Sequence, residues 1–233
     1  MTPFLHIWQA DLAANHPSWP AAEATLSPAE QSRQAQLRTP ALRQTYGRAH
    51  GLLRAVMGTY LARPAQALAF SAEATSKPVL PGSALHFNLS YRPSRALLAL
   101  SNAAPVGADI EPLAPLAEAG ALISELFSYA EQAALQAAEA AAYWPLFYLI
   151  WTRKEAYAKA LGMGLQMPFS SFSVLDYQAN ASLLISPAGA SLHSFGVGAG
   201  HQGAVAQLGS SQQLVPQHFS YPLDLEATAS QVG

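Results

Sequence analysis

Hydrophobic positions change their period along the chain, and each change marks an element. Phe4 to Ala10 alternates apolar and polar residues and predicts a first strand. Ser27-Pro28-Ala29-Glu30 has the form of a capping box with proline at the first helical position, so a helix follows it. Between Ala41 and Ala62, Leu42, Tyr46, Leu53, Val56, Met57, Tyr60 and Leu61 recur at helical spacing, and Pro64 ends the run. Leu85 to Ser90 and Arg95 to Ser101 read as hairpin partners, and Pro105 to Glu111 as a further extended segment.

A second capping box, Ser128-Tyr129-Ala130-Glu131, opens an alanine-rich helix. Trp144-Pro145 restarts a helix that runs to about Leu161 and stops at Gly162. Short strands are expected at Phe172–Asp176, Ser182–Ser186, Leu192–Val197 and Ala204–Leu208. Helices set between groups of hairpin strands predict an α+β fold rather than a doubly wound sheet.

Composition narrows function more than fold. The 233 residues allow one or two domains, and a hydrophobic content of 51% supports a sizeable core. Only 11% are charged, against about 25% in an average protein, so the placement of each charge carries information. A net charge of -2 argues against a general nucleic-acid binder. The absence of cysteine removes disulfides, a thiol nucleophile and thiolate-bound zinc, and suits a reducing cytoplasm. No stretch is apolar enough for a membrane span: the greasiest, Gln132 to Ile150, contains Glu139 and Pro145. The first residues lack a basic region and Asp11 interrupts the apolar run, so no signal peptide is expected.

Charge is segregated. Arg33, Arg38, Arg43, Arg48, Arg54 and Arg63 follow one another with Glu30 as the only acid among them, a pattern that can hold phosphates or form a solvated helix face. Between Ala96 and Thr152 there is no Lys or Arg, while Asp109, Glu111, Glu118, Glu125, Glu131 and Glu139 are all acidic. Within that stretch, Gly107-Ala108-Asp109-Ile110-Glu111 alternates, which puts Asp109 and Glu111 on one face of a strand. Two such carboxylates repel unless a cation lies between them, and Mg²⁺ suits the pair; exposed acids on an edge strand are the plainer reading.

Trp151-Thr152-Arg153-Lys154-Glu155-Ala156-Tyr157-Ala158-Lys159-Ala160-Leu161-Gly162-Met163-Gly164-Leu165 holds two of the three lysines. On a helix, Trp151, Glu155 and Lys159 stack on one face, with Lys154 beside them. Glu155 and Lys159 alone are also compatible with a plain helical ion pair.

Together these residues resemble the Sfp-type 4′-phosphopantetheinyl transferase family. Its signature is a Gly-x-Asp-x-Glu segment followed by Trp-x-x-Lys-Glu-Ala-x-x-Lys-Ala-x-Gly-x-Gly-Leu, and residues 107–111 and 151–165 match it. Lys77-Pro78, Phe87-Asn88-Leu89-Ser90, Phe127-Ser128 with Glu131, and Leu52-Leu53-Arg54 are similar to the family's shorter motifs. The likeness spans roughly Ser27 to Asp176.

The resemblance implies two pseudo-symmetric α+β halves, 1–105 and 106–233, with coenzyme A in the cleft between them. It implies that Asp109, Glu111 and Glu155 hold Mg²⁺, with Mn²⁺ as the alternative. Glu155, or a water it orients, takes the proton of a carrier-protein serine. Lys159 stabilises or protonates the leaving phosphate, and Lys154 assists the pyrophosphate. Lys77, Pro78 and Ser90 line the nucleotide site, and Arg33 falls near the 3′-phosphate. The implied partners are coenzyme A and an apo acyl, polyketide or peptidyl carrier protein, with no nucleic acid and no membrane, the enzyme acting as a cytoplasmic monomer. One position departs: the family's histidine after Asn-x-Ser is Tyr91 here. A hydroxyl on a coenzyme A phosphate is the expected substitute, and a ring packed on the cleft wall is the alternative. Two other functions remain open on the residues: a Mg²⁺-dependent phosphohydrolase, and a non-catalytic coenzyme A or carrier-protein binding module.

Overall fold

The computed structural model describes residues 2–71, 78–175, 183–185, 189–209 and 214–225. In chain order it contains β1 (Leu5–Asp11), α1 (Ser18–Glu23), α2 (Pro28–Ala35), α3 (Pro40–Tyr60), β2 (His86–Arg92), β3 (Arg95–Ser101) and β4 (Val106–Pro112). There follow α4 (Ala119–Leu126), α5 (Tyr129–Ala137), α6 (Ala140–Leu161), β5 (Leu183–Ile185), β6 (Ser191–Gly196), β7 (His201–Gln207) and β8 (Gln217–Tyr221). The fold is α+β, as the element pattern predicts.

The strands form two four-stranded sheets, in the orders β2-β3-β1-β8 and β4-β7-β6-β5. Alternation along the strands explains the layering. Trp8, Ala10, Ala96, Leu98 and Leu100 pack with Leu52, Leu53, Val56, Met57 and Tyr60 of α3. Leu5, Ile7, Leu97 and Ala99, from the opposite face of the same strands, pack on Val106, Ala108, Ile110 and Val205 of the second sheet. Leu192, Ala204 and Ala206 face α6 through Phe147, Ile150, Ala156 and Ala160. The order is therefore helix, sheet, sheet, helix. β3 reads almost continuously apolar because both of its faces are covered.

Both capping boxes form: Ser27 accepts from Glu30 N and Ser128 from Glu131 N, while each glutamate accepts from its serine's N–H. Each glutamate also bonds a buried cation on the following long helix, Glu30 to Arg54 of α3 at 2.6 Å and Glu131 to Lys154 of α6 at 2.9 Å. Gly162 ends α6 in the left-handed conformation, with φ of 72°.

Several boundaries differ from expectation. α6 begins at Ala140 and runs through Pro145, which lies in its second turn and removes the N–H that would otherwise bond the Ala141 carbonyl. Phe172 to Leu175 is irregular: the Val174 N–H donates to Glu131 Oε1 and its carbonyl accepts from Arg153 Nη1, so side chains take the bonds a strand partner would have taken. Asp176 lies outside the described residues. β8 joins the first sheet, parallel to β1, so the chain returns across the expected 105/106 division. No helix among the described residues is long and apolar enough to cross a membrane.

Candidate active site

β2 and β4, the adjacent edges of the two sheets, bring the site together. On β2, Phe87, Leu89 and Tyr91 face the α3 core. Asn88, Ser90 and Arg92 point the other way, onto β4. Asn88 Oδ1 accepts from the Ala108 N–H at 2.8 Å, Ser90 Oγ donates to Asp109 Oδ1 at 3.2 Å, and Arg92 Nε donates to Glu111 Oε2 at 2.6 Å. Arg92 Nη2 bonds the other Glu111 oxygen, to which Trp151 Nε1 also donates at 3.4 Å.

From the opposite side α6 lies on β4 at backbone contact. The contact requires Gly107, since a Cβ there would meet the backbone of Ala156 and Ala160. It sets Lys159 Nζ 2.5 Å from Asp109 Oδ1 and 4.0 Å from Glu155 Oε2. Asp109 is 1% exposed and its Oδ2 has no hydrogen-bond partner. Burial pushes the Asp109 carboxyl up, Lys159 opposes the shift, and the charge of Glu111 adds to it. Burial likewise raises Glu155, with Asp109 and Glu111 adding to the rise.

In kind, these donors fit a hard divalent cation: three carboxylates, two of them raised, one with an orphaned buried oxygen. Among the described residues, however, no three His, Asp or Glu side chains converge closely enough to hold an ion. Instead, Arg92 engages both oxygens of Glu111 and Lys159 holds one of Asp109.

Lys154 is not brought into this group. It is fully buried, and its Nζ donates to the Phe169 and Phe172 carbonyls at 2.5 and 2.8 Å as well as to Glu131. A helical face tells Lys154 from Glu155 by about 100° of rotation, but not which of them points into the core. Arg92 belongs to no motif in the sequence, and its only signal there is the period of two that puts it on the face of Ser90.

On the α2–α3 side lies a cavity of about 510 Å³, lined by Glu30, Tyr46, His50, Arg54, Phe70 and Pro78, among others, which Tyr91 of β2 approaches only through its contact with His50. Tyr46 stacks on His50 at 4.0 Å, and Tyr91 meets His50 edge-on at 6.1 Å. Burial raises the Tyr91 hydroxyl pKa, against the charge of Arg33, which is exposed on α2. Tyr91 and Arg33 thus belong to the cavity side and Ser90 to the carboxylate side. Lys77 lies outside the described residues. Of the six arginines in the basic run, Arg48 and Arg54 are buried, Arg48 bonding the Leu12 carbonyl and Arg54 bonding Glu30.

Comparison with known proteins bears on the family. A family model described as the 4′-phosphopantetheinyl transferase superfamily matches residues 105–206, which include β4 and α6. The chain is 31% identical over 165 residues to the 4′-phosphopantetheinyl transferase HetI of a Nostoc species, covering 69% of this chain and 70% of that one. It is 30% identical over 128 residues to Sfp of Bacillus subtilis, covering 54% of this chain and 56% of Sfp. Over 82 residues it is 39% identical to AcpT of Escherichia coli O157:H7, covering 35% of this chain and 42% of AcpT. With the Asp109 strand and the Lys159 helix packed face to face and the likeness to HetI extending over two thirds of both chains, this protein belongs to the 4′-phosphopantetheinyl transferase family.

Proposed function

We propose that the protein transfers the 4′-phosphopantetheine arm of coenzyme A to a serine of an apo acyl, polyketide or peptidyl carrier protein. The observation that carries this reading is the meeting of Asp109, Glu155 and Lys159 at the α6–β4 contact. The serine oxygen forms a bond to the phosphorus that bears pantetheine. The bond from that phosphorus to the bridging oxygen breaks, and adenosine 3′,5′-bisphosphate leaves. Glu155, raised by burial and neighbouring charge, accepts the serine proton directly or through a water. Lys159 neutralises the charge that gathers on the leaving phosphate. Asp109, Glu111 and Glu155 would hold a divalent metal, Mg²⁺ or Mn²⁺. Such an ion, when bound, neutralises pyrophosphate oxygens during the transfer.

The 510 Å³ cavity suits the nucleotide end, with Pro78 in its wall and Tyr91 and Arg33 beside it. Ser90 acts on this reading by orienting Asp109. Lys154 serves by tying α6 to α5, and Lys77 is proposed for the nucleotide site from the motif alone. The paired devices Glu30–Arg54 and Glu131–Lys154 support two related halves, 1–105 and 106–233, with β8 exchanged into the first. Action as a monomer is proposed from the family resemblance alone, and a reducing cytoplasm accords with the cysteine-free chain.

Mass spectrometry of an apo carrier protein incubated with this protein, coenzyme A and Mg²⁺ tests the proposal. A gain of one phosphopantetheine on the carrier serine is expected. Coenzyme A cleaved without carrier modification would instead indicate a phosphohydrolase, and no turnover a binding module.

A further inference from the structure

Arg92 occupies a carboxylate that a metal would need. Its guanidinium grips both oxygens of Glu111, with Nε 2.6 Å from Oε2 and Nη2 on Oε1. That is the two-pronged pairing for which guanidinium is shaped and ammonium is not. Asp109, one register step away on the same face of β4, keeps an unpartnered oxygen. Asp109 thus has one oxygen open to a cation, its other being held by Lys159, whereas Arg92 occupies both oxygens of Glu111. Arg92 is 37% exposed, so its side chain has room to swing away, whereas Asp109 is fixed.

We infer that Arg92 competes with the divalent metal for Glu111, so that the Arg92–Glu111 pair and a fully coordinated metal exclude each other. This rests on the metal site proposed above. Without metal, Arg92 offsets the repulsion between Glu111, Asp109 and Glu155. When metal binds, Glu111 turns an oxygen toward it and the guanidinium is released beside the site, where it can meet a phosphate oxygen of the substrate. Arg92 is in this sense a positioning residue in the metal-free protein and a phosphate ligand in the loaded one.

The test is a titration with Mn²⁺ alone, read by electron paramagnetic resonance, without coenzyme A or carrier. Arg92→Ala should tighten Mn²⁺ binding by about tenfold or more, the equivalent of losing one charge-assisted competitor. Arg92→Lys should fall between the two, because an ammonium cannot engage both oxygens. Asp109→Asn in the Arg92→Ala background should weaken binding again and so place the ion at this site. Circular dichroism verifies that each variant is folded, and Arg92→Gln replaces the alanine variant should that one not fold. Equal Mn²⁺ affinity in the native protein and the Arg92 variants, or no binding by any of them, overturns the inference. Tighter binding in the variants sustains it even if no carrier protein is modified, which separates it from the transferase reading. A coenzyme A titration with Mg²⁺ present provides the second arm. Loss of Arg92 should weaken coenzyme A binding while it tightens the metal, and tighter binding of both would contradict the released-ligand role.

Discussion

Gly107 lies directly beneath the backbone of Ala156, and a Cβ in place of its hydrogen would stand 2.0 Å from the Ala156 carbonyl oxygen. This close approach sets the distance between Asp109 on β4 and Glu155 and Lys159 on α6. Gly107→Ala should push the helix away from the strand. A loss of at least about 1–3 kcal/mol, the usual cost of overpacking, is expected in chemical denaturation. The kcat should fall disproportionately in the fraction that remains folded. A variant with native stability and native kcat would show that α6 has slack at this point.

Glu155→Gln keeps the shape of the side chain and removes its basicity. The expected loss in kcat is on the order of 10²-fold or more. In the native enzyme the rate should rise with pH through a pKa above the ordinary glutamate value, since burial favours the protonated form of Glu155. The glutamine variant should lack that limb. Carrier-transfer assays across pH settle both points.

Glu30 offers a stability test away from the catalytic carboxylates. Burial alone would raise its carboxyl, but hydrogen bonds from His50, Ser27 and Arg54 outweigh it and bring the pKa down to about 2. A depressed carboxylate stabilises the fold above its unfolded pKa, and the contribution is lost as pH falls through the folded value. Unfolding free energy should therefore drop between about pH 4.5 and pH 2, with roughly 3 kcal/mol attributable to this group. Glu30→Gln should be less stable at pH 7 and show a shallower acid decline. Equilibrium denaturation at several pH values reads both effects.

Lys154 has every proton of its ammonium committed inside the protein. Lys154→Met leaves Glu131 buried without a counter-charge and should cost about 3–5 kcal/mol. Adding Glu131→Gln should recover part of that loss. Coenzyme A affinity of the folded protein should stay near native, whereas a direct pyrophosphate contact would make affinity fall even in the double variant. Isothermal titration together with thermal unfolding separates these outcomes.

Tyr91→Phe probes the departure from the family pattern. If the hydroxyl bonds a phosphate oxygen, its removal should weaken coenzyme A binding by roughly tenfold, as for a hydrogen bond to a charged group. The aromatic contact with His50 survives in phenylalanine, so the fold should be unaffected. An unchanged Kd for coenzyme A assigns Tyr91 to packing alone.

Local rules carried much of the architecture. The two Ser-x-x-Glu boxes, the hairpin of Leu85–Ser90 with Arg95–Ser101 and the Gly162 stop are each encoded within a few residues, and each forms as expected. So is the spacing that puts Glu155 and Lys159 one helical turn apart. What depends on distant partners was not legible. α1 and α4 are short and lack a side-chain cap, so no terminus signal announces them. Arg92 gains its role only from the meeting of β2 and β4. The pattern of residues 151–165 places Lys154 beside Glu155, but a one-dimensional pattern cannot say that Glu131 and two carbonyls wait on its side of the helix.

The parallel pairing of β8 with β1 bears on how the protein is made. Tyr221 pairs with Ala10, so the first sheet cannot be completed until nearly the whole chain up to that residue has left the ribosome. Until then the outer edge of β1 is bare, carrying unpaired amides beside Trp8 and Ile7, and such edges invite pairing with other chains. Contacts this remote in sequence also form slowly. The long α3 can cover one face of the nascent sheet in the meantime, but it cannot cover the edge. A fragment ending near residue 105 would carry that exposed edge permanently.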